Sequence, residues 1–382
     1  MDDARRHIIF LARWYPHRYD PMFGLFVQRH AEAAALYNDV SVVYVHADDN
    51  ACKKYEIVKD TADTDAIHRV STIRVYYRKS WSKTVSLFRF FRANRLALKQ
   101  LPKPDIIHVH VLTRLGIIAL WHKTIHGTPY IITEHWSRYL PGNDFSGFFR
   151  KKLTKTVVKH AAAVTTVTDI LAKAMQSHRL RNNNYLTVPN VVDINAFKPM
   201  PHHNDVPKIV HVSCFENKSK NITGLIDALQ ILEDRNVAFQ FVFIGDGIDF
   251  VMIKDYVKKL KHQENIRFTG VLEGQDYIGE LASNDFLVLS SNYETQGVVL
   301  LEAFACGIPV VSTNVGGIPE IVNESNGILV PPQEPQKLAD AMQTMVQTYQ
   351  NYDVNTLRDS VIKKFSNETV GKLLNSLYSN TI

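Results

Sequence analysis

The sequence predicts an α/β protein of two doubly wound domains, and three observations carry that prediction. Apolar runs rich in β-branched residues recur throughout the 382 residues, with helical stretches between them. The runs are nearly continuous in their apolar character, as expected of parallel strands covered on both faces. The series breaks once, near the middle of the chain, where prolines accumulate.

Taken in order, the first set of strands falls at residues 8–12, 40–45, 106–111, 130–133 and 164–167, with a helix over 26–37 after the first. Pro189, Pro199, Pro201 and Pro207, with His202 and His203 among them, mark an interdomain linker over residues 191–207. The second set of strands falls at 209–212, 239–244, 286–289, 310–312 and 328–330, interleaved with helices at 222–232, 250–261 and 298–306. The domains are therefore read as residues 1–190 and 208–360, with a final helix near 361–382 able to pack back on the first.

Composition narrows the class. A chain 45% hydrophobic and 21% charged is not globally disordered. No apolar stretch approaches the ~18 residues of a membrane span. The acidic start Met1-Asp2-Asp3 and the short apolar run 8–12 do not fit a signal peptide. Cys52, Cys214 and Cys306 lie far apart, which excludes a disulfide framework and predicts a reducing cytoplasm. Charge is split: residues 1–199 hold 30 Lys and Arg against 16 Asp and Glu, whereas residues 200–382 hold 14 against 22. Ten Lys or Arg fall between Asp65 and Asp105 without one acid, and Arg150, Lys151, Lys152, Lys155 and Lys159 form a second acid-free stretch. The basic half is expected to face something anionic. Trp81, Val85, Phe88 and Phe91 share a helical face within it, so an anionic membrane surface is a candidate partner and the inner face of the cell membrane a candidate location.

The sharpest signal runs from Tyr293 to Pro309. Gly297 opens a helix that Gly307 and Pro309 end, and the helix is apolar on every face except at Glu302. A buried carboxylate needs donors. An arginine or a backbone amide would serve, and so would the paired hydroxyls of a ribose. The free N–H groups at Gly297 suit a phosphate. Phosphate and ribose within one helix length point to a nucleotide.

This stretch, with Gly307-Ile308-Pro309-Val310-Val311 and Gly316-Gly317-Ile318-Pro319-Glu320, resembles the signature of retaining glycosyltransferase family 4, in which two glutamates stand eight positions apart. Trp14-Tyr15-Pro16 followed by Gly24, Asp105-Ile106-Ile107-His108-Val109-His110, Thr133-Glu134-His135, Pro189-Asn190-Val191-Val192-Asp193 and Gly245-Asp246-Gly247 resemble further blocks in the same order. The resemblance implies two Rossmann-like domains facing a cleft (GT-B) and a retaining, metal-independent glycosyltransferase. It would move a sugar from a nucleotide-sugar donor, UDP-sugar favoured over GDP-sugar, to a lipid-linked or polysaccharide-precursor acceptor. By the same resemblance, the first domain binds acceptor and the second binds donor. Glu302 holds the ribose, Glu294 and the amides at Gly297 meet the transferred sugar, and the amides of Val298 and Val299 meet the diphosphate. Lys220 is the phosphate clamp, the loop at Gly24 lies against the diphosphate, and His135 stands on the acceptor side, with His110 a second candidate. The chain departs from the pattern where Cys214 or Glu216 occupies the usual place of an arginine, leaving Lys218 as a substitute, and where Gln296 replaces a common aromatic.

Two rival readings stay open: a nucleotide-sugar epimerase or phosphorylase on the same architecture, and a nucleic-acid-binding protein using the basic half. No helix-turn-helix, zinc or RNA-binding signature supports the second, and nucleic acid is not expected as a partner. Asp63-Thr64-Asp65 spells a metal-binding Asp-x-Asp, but its polar surroundings favour a solvated loop, and no metal site is predicted.

Overall fold

The computed structural model describes residues 5–51, 53–60, 70–143 and 145–382; Asp63 and Asp65 lie outside the described residues. The chain divides into two compact units, the first comprising Met1–Val191 with Asn367–Ile382 and the second Val192–Ser366.

Unit 1 runs β1 (His7–Ala12), α1 (Leu25–Ala35), β2 (Asp39–Asp48), β3 (Tyr55–Asp60), β4 (Val70–Arg78), α2 (Lys83–Leu98), β5 (Ile106–His110), α3 (Leu115–His126), β6 (Tyr130–Glu134), α4 (Phe148–His160), β7 (Ala163–Thr166), α5 (Asp169–Ser177) and β8 (Tyr185–Thr187). The strands form one sheet in the order β3-β4-β2-β1-β5-β6-β7-β8. Every neighbour pairs in parallel except β3, which runs antiparallel to β4 at the edge. That hairpin escapes a search for apolar runs because Glu56, Lys59 and Asp60 interrupt β3.

Successive residues of the central strands face opposite layers. Ile9, Leu11, Ile107, Val109 and Ile132 pack with residues of α2, α3, α4 and α5. Ile8, Phe10, Ile106 and Ile131 pack with α1 and with the terminal helix Asn367–Ser379. The terminal helix comes close to α1 at Gly371, where a Cβ would stand 2.5 Å from the Ala33 carbonyl oxygen.

Unit 2 runs β9 (Lys208–Val212), α6 (Asn217–Lys220), α7 (Ile222–Asp234), β10 (Gln240–Ile244), α8 (Phe250–Val257), β11 (Ile266–Gly270), α9 (Gly274–Ala282), β12 (Phe286–Leu289), α10 (Val298–Ala305), β13 (Val310–Thr313), β14 (Gly327–Val330), α11 (Pro335–Thr348) and α12 (Val354–Phe365). Its sheet is wholly parallel, in the order β11-β10-β9-β12-β13-β14. The stretch 191–207, read from its prolines as a linker, is in part packed structure. Val192 and Phe197 join the core of unit 2. The Arg358 guanidinium donates to the carbonyls of Ile194 (2.6 Å) and Phe197 (2.8 Å), and also to Ala305 at the end of α10 (2.6 Å). Prolines mark where a chain cannot form regular structure, not whether it is buried. No helix among the described residues is long and apolar enough to cross a membrane.

Gly371→Leu is expected to destabilise unit 1 by about 1–3 kcal/mol, the usual cost of forcing a side chain into a filled contact. Thermal unfolding checks this. A variant that melts like the parent would mean that the terminal helix contributes nothing at this contact.

Candidate active site

All strands of unit 2 point one way, so the loops after β9, β10, β12 and β13 share one edge of the sheet. Hydrogen bonds hold these loops together. Ser290 Oγ donates to the Lys220 carbonyl (2.8 Å), the Asn292 N–H to the Ser219 carbonyl (2.8 Å), and Asn292 Nδ2 to the Lys218 carbonyl (3.0 Å). The Gly317 N–H donates to the Thr295 carbonyl (3.2 Å). Beside it Gly316 has φ +53°, and a Cβ there would lie 1.7 Å from the Glu294 carbonyl oxygen. Only glycine fits such a position.

Inside this cluster Lys220 Nζ and the Glu294 carboxylate form an ion pair, with side chains 17% and 14% exposed. Ser291 Oγ donates to the same carboxylate (3.1 Å). Burial works against the Lys220 ammonium, but the Glu294 charge outweighs it and holds the pKa above that of an ordinary lysine. Gly297, with φ +76°, turns the chain into α10. The first amides of that helix, at Val298 and Val299, lack intrahelical acceptors and carry the positive end of its dipole. One turn on, the Glu302 carboxylate is buried and accepts a hydrogen bond from the Tyr277 hydroxyl (2.7 Å). Lys220, Glu294, Gly297, Val298, Val299 and Glu302 therefore belong to one cluster. Lys218 faces solvent beside it.

Gly24 and His135 belong to unit 1. Gly24 caps α1 with φ +69°, and a Cβ would fall 2.3 Å from the backbone of Trp14. The Phe26 ring in the first turn of α1 lies 4.7 Å from the His135 ring, so the two sites are neighbours. His135 Nδ1 bonds to Asn190 Oδ1 and Nε2 to His110 Nδ1, both at 3.1 Å. With the amide oxygen accepting, the ring donates from Nδ1 and accepts at Nε2. His30 Nε2 donates to the Pro189 carbonyl (3.0 Å), and His108 bridges Tyr378 Oη (2.8 Å) and Thr133 Oγ1 (2.6 Å). Burial keeps all four rings neutral: it lowers the His30 pKa to about 4 and drives those of His108, His110 and His135 well below the imidazole range. Nitrogens of His30, His110 and His135 lie within 4.8 Å of one another, the spacing of a metal-capable group; His110 Nδ1 and His135 Nε2 bond to each other, while His30 Nδ1 and His110 Nε2 are buried without a hydrogen-bond partner among the described residues. Glu134 accepts from the N–H groups of Leu112 (3.0 Å), His135 (3.0 Å) and Trp136 (2.9 Å). Burial nevertheless raises its pKa to about 7.

Sequence reading missed Tyr277, Arg358, His30 and His108 as site or support residues. His108 had a signal: two residues before His110 in a strand, it must face the same layer. The other three act across the fold, and no local pattern announces them.

Comparison with known proteins bears on the family and the fold. Residues 193–359 match the family model of glycosyl transferases group 1, and residues 30–191 match that of the glycosyl transferase 4-like domain. The chain belongs to the glycosyl transferases group 1. This glycosyltransferase is 27% identical over 302 residues to N-acetyl-alpha-D-glucosaminyl L-malate synthase of Bacillus anthracis, a match covering 73% of the chain and 75% of the relative. Several other curated relatives are spanned to less than two thirds of their length. Among solved structures, sucrose-phosphate synthase from Thermosynechococcus elongatus superposes with TM-score 0.79 at 19% identity, covering 98% of this chain and 99% of that one. Anabaena HepE in complex with UDP and glucose superposes with TM-score 0.73 at 18% identity, covering 98% and 100%. These likenesses establish the fold of two Rossmann-like domains.

The neutral histidines make unit 1 acid-sensitive. Their folded pKa values lie below the unfolded value of about 6.5, so the unfolded chain binds more protons and stability falls as pH drops below that point. Glu134 acts oppositely: with a folded pKa of about 7, it adds stability as pH falls from 7 toward 4.5. Four groups oppose one. The melting temperature of unit 1 should therefore fall between pH 7 and pH 5, each histidine contributing up to about 1.4 kcal/mol per pH unit. His110→Phe should flatten that slope, and calorimetry at pH 5, 6 and 7 measures it. An unchanged slope would contradict the neutral-ring account.

Proposed function

We propose that the enzyme transfers a sugar, with retention of configuration, from a UDP-sugar held by unit 2. The acceptor is a lipid-linked or polysaccharide-precursor sugar, bound by unit 1 at an anionic membrane surface. The observation that carries the reading is the pairing of a partly buried Lys220–Glu294 couple with a helix N-terminus whose second turn carries buried Glu302. Glu302 would accept the ribose hydroxyls, with Tyr277 fixing the carboxylate from the far side. The amides of Val298 and Val299 would meet the diphosphate. Glu294, together with the amides around Gly297, would hold the transferred sugar. The UDP found with HepE is consistent with this donor class.

In this reading Lys220 does two jobs. Without donor its charge is balanced by Glu294. With donor bound, its N–H groups can be shared between that carboxylate and the leaving phosphate. The bond from the anomeric carbon to the diphosphate oxygen breaks as the acceptor hydroxyl attacks from the same face, and the departing diphosphate takes the hydroxyl proton. The protein then has mainly to stabilise negative charge, a task for Lys220, exposed Lys218 and the α10 amides. A metal ion is not required by this scheme. Gly24 would let the start of α1 approach the diphosphate. His135 is assigned to the acceptor side, where bonding a substrate hydroxyl requires it to exchange Asn190 or His110.

Glu302→Ala should weaken nucleotide binding about 10- to 100-fold, since hydrogen bonds to a charged acceptor contribute ~1.5–3 kcal/mol each. Tyr277→Phe should weaken it less, because the carboxylate remains. Calorimetric titration with UDP tests both, and wild-type affinity in Glu302→Ala would refute the ribose assignment.

Lys220→Ala should lower turnover by ~10²–10³, the usual effect of removing one donor to a developing charge. Turnover in excess EDTA should be unchanged. Loss of activity restored by magnesium or manganese would bring Asp63 and Asp65 back as a metal site.

A further inference from the structure

Helices α2, α3 and α4 stand on one face of the unit 1 sheet, where Phe90, Ile118 and Val157 enter the same core layer. The three helices, of 16, 12 and 13 residues, contain no Asp or Glu. α2 carries four Lys or Arg and α4 carries five. Arg92, Arg95, Lys99, Lys152 and Lys155 form no ion pair among the described residues. Rings stand in solvent between these cations: Trp81 is fully exposed, Phe149 is 84% exposed and Phe88 63%. Trp121, Ile125 and Phe148 are exposed on the same three helices.

A groove of about 590 Å³ opens between α2 and α3. Phe91, Leu98, Ile117, Ile118 and Trp121 give it an apolar lining, and the exposed cations Arg95 and Lys99 stand in its wall. A second cavity, of about 360 Å³, shares Phe91, Arg95 and Lys99 with it. Soluble surfaces rarely gather apolar side chains in this way without a partner. Cations, exposed rings and a complete lack of carboxylates fit the phosphate and headgroup zone of an anionic bilayer, where aromatic rings settle at the interface and each cation adds attraction. Nucleic acid would satisfy the cations and could stack on the rings, but it has nothing to match the Leu98, Ile117 and Ile118 side chains in the groove.

We propose that the α2–α3–α4 face docks on an anionic phospholipid bilayer, with the groove between α2 and α3 taking an acyl chain and Arg95 and Lys99 holding lipid phosphate. The proposal rests on reading unit 1 as the membrane-facing half of the enzyme, and it stands apart from the donor assignment in unit 2. It places the apolar groove, and not charge alone, at the centre of binding.

The full chain is sedimented with phosphatidylcholine vesicles, with and without phosphatidylglycerol. Binding is expected only with phosphatidylglycerol, weakening as salt shortens the Debye length below about 8 Å. Arg95→Ser with Lys99→Ser should weaken it about tenfold or more. Phe88→Ser with Trp121→Ser should weaken it at constant charge, and this pair tests the docking face equally well should the first pair not fold. Brominated acyl chains should quench tryptophan fluorescence, and Trp81→Phe with Trp121→Phe should abolish the quenching while the protein still pellets. UDP-sugar hydrolysis without acceptor or vesicles, run on the same variants, should stay at the parental level. Its loss in the parent would count against the donor reading alone. Equal binding to neutral vesicles, undiminished binding of both double variants, or displacement from vesicles by an oligonucleotide bound to the same face would each overturn the docking proposal.

Discussion

A lysine and a glutamate, largely withdrawn from water and paired with each other, hold the second unit's site together. Each charge depends on the other there: removing one partner leaves its companion uncompensated where little water can reach it. Their neutrality permits the loops after β9 and β12 to pack closely enough for Asn292 and Ser290 to join them through main-chain carbonyls. The position of Gly297, and with it the direction of α10, follows from where that junction lies. The third loop is constrained in turn, since Gly316 has room only for a hydrogen where Glu294 turns its carbonyl outward. A charge pair thus sets the geometry of a helix terminus that offers no charged side chain of its own.

The first unit solves a similar problem by the opposite means. Its polar residues beneath α1 are kept uncharged. His30, His108 and His135 share hydrogen bonds with Asn190, Thr133, Tyr378 and the Pro189 carbonyl instead of with carboxylates, and His110 bonds to His135. Glu134, the acid nearest them in sequence, is held by three backbone amides and faces the other layer of the sheet. The result is an oriented, polar but electrically neutral wall.

Much of this was legible in the sequence, for identifiable reasons. Parallel strands announce themselves because both faces are buried. Glu302 stood out because a lone carboxylate in an apolar helix needs an explanation. The edge hairpin of β3 and β4 was illegible because one side of it meets water, so its apolar residues are diluted by charge. The junction at 191–207 was legible only in part because Pro199, Pro201 and Pro207 speak only of backbone conformation, while Val192 and Phe197 enter a core assembled from residues far along the chain. Tyr277 and Arg358 could not be read at all: each acts on a partner 25 or more positions away, across an element boundary. The pairing of Lys220 with Glu294 shows the same limit, since the family resemblance named both residues but could not say that they would touch.

The return of the terminal helix to unit 1 bears on how the chain is made. Domains usually close in the order of their synthesis. Here the stretch Val192–Ser366 is continuous and can close by itself, whereas unit 1 stays open along α1 until Asn367–Ser379 has emerged. His108 waits for Tyr378, 270 residues downstream, to bond its Nδ1. The half of the enzyme that is translated first is thus the half that is finished last. Until then the apolar faces of Val370, Leu374 and their partners on α1 are uncovered, which makes the interval before that helix docks the time when this chain most needs protection from aggregation.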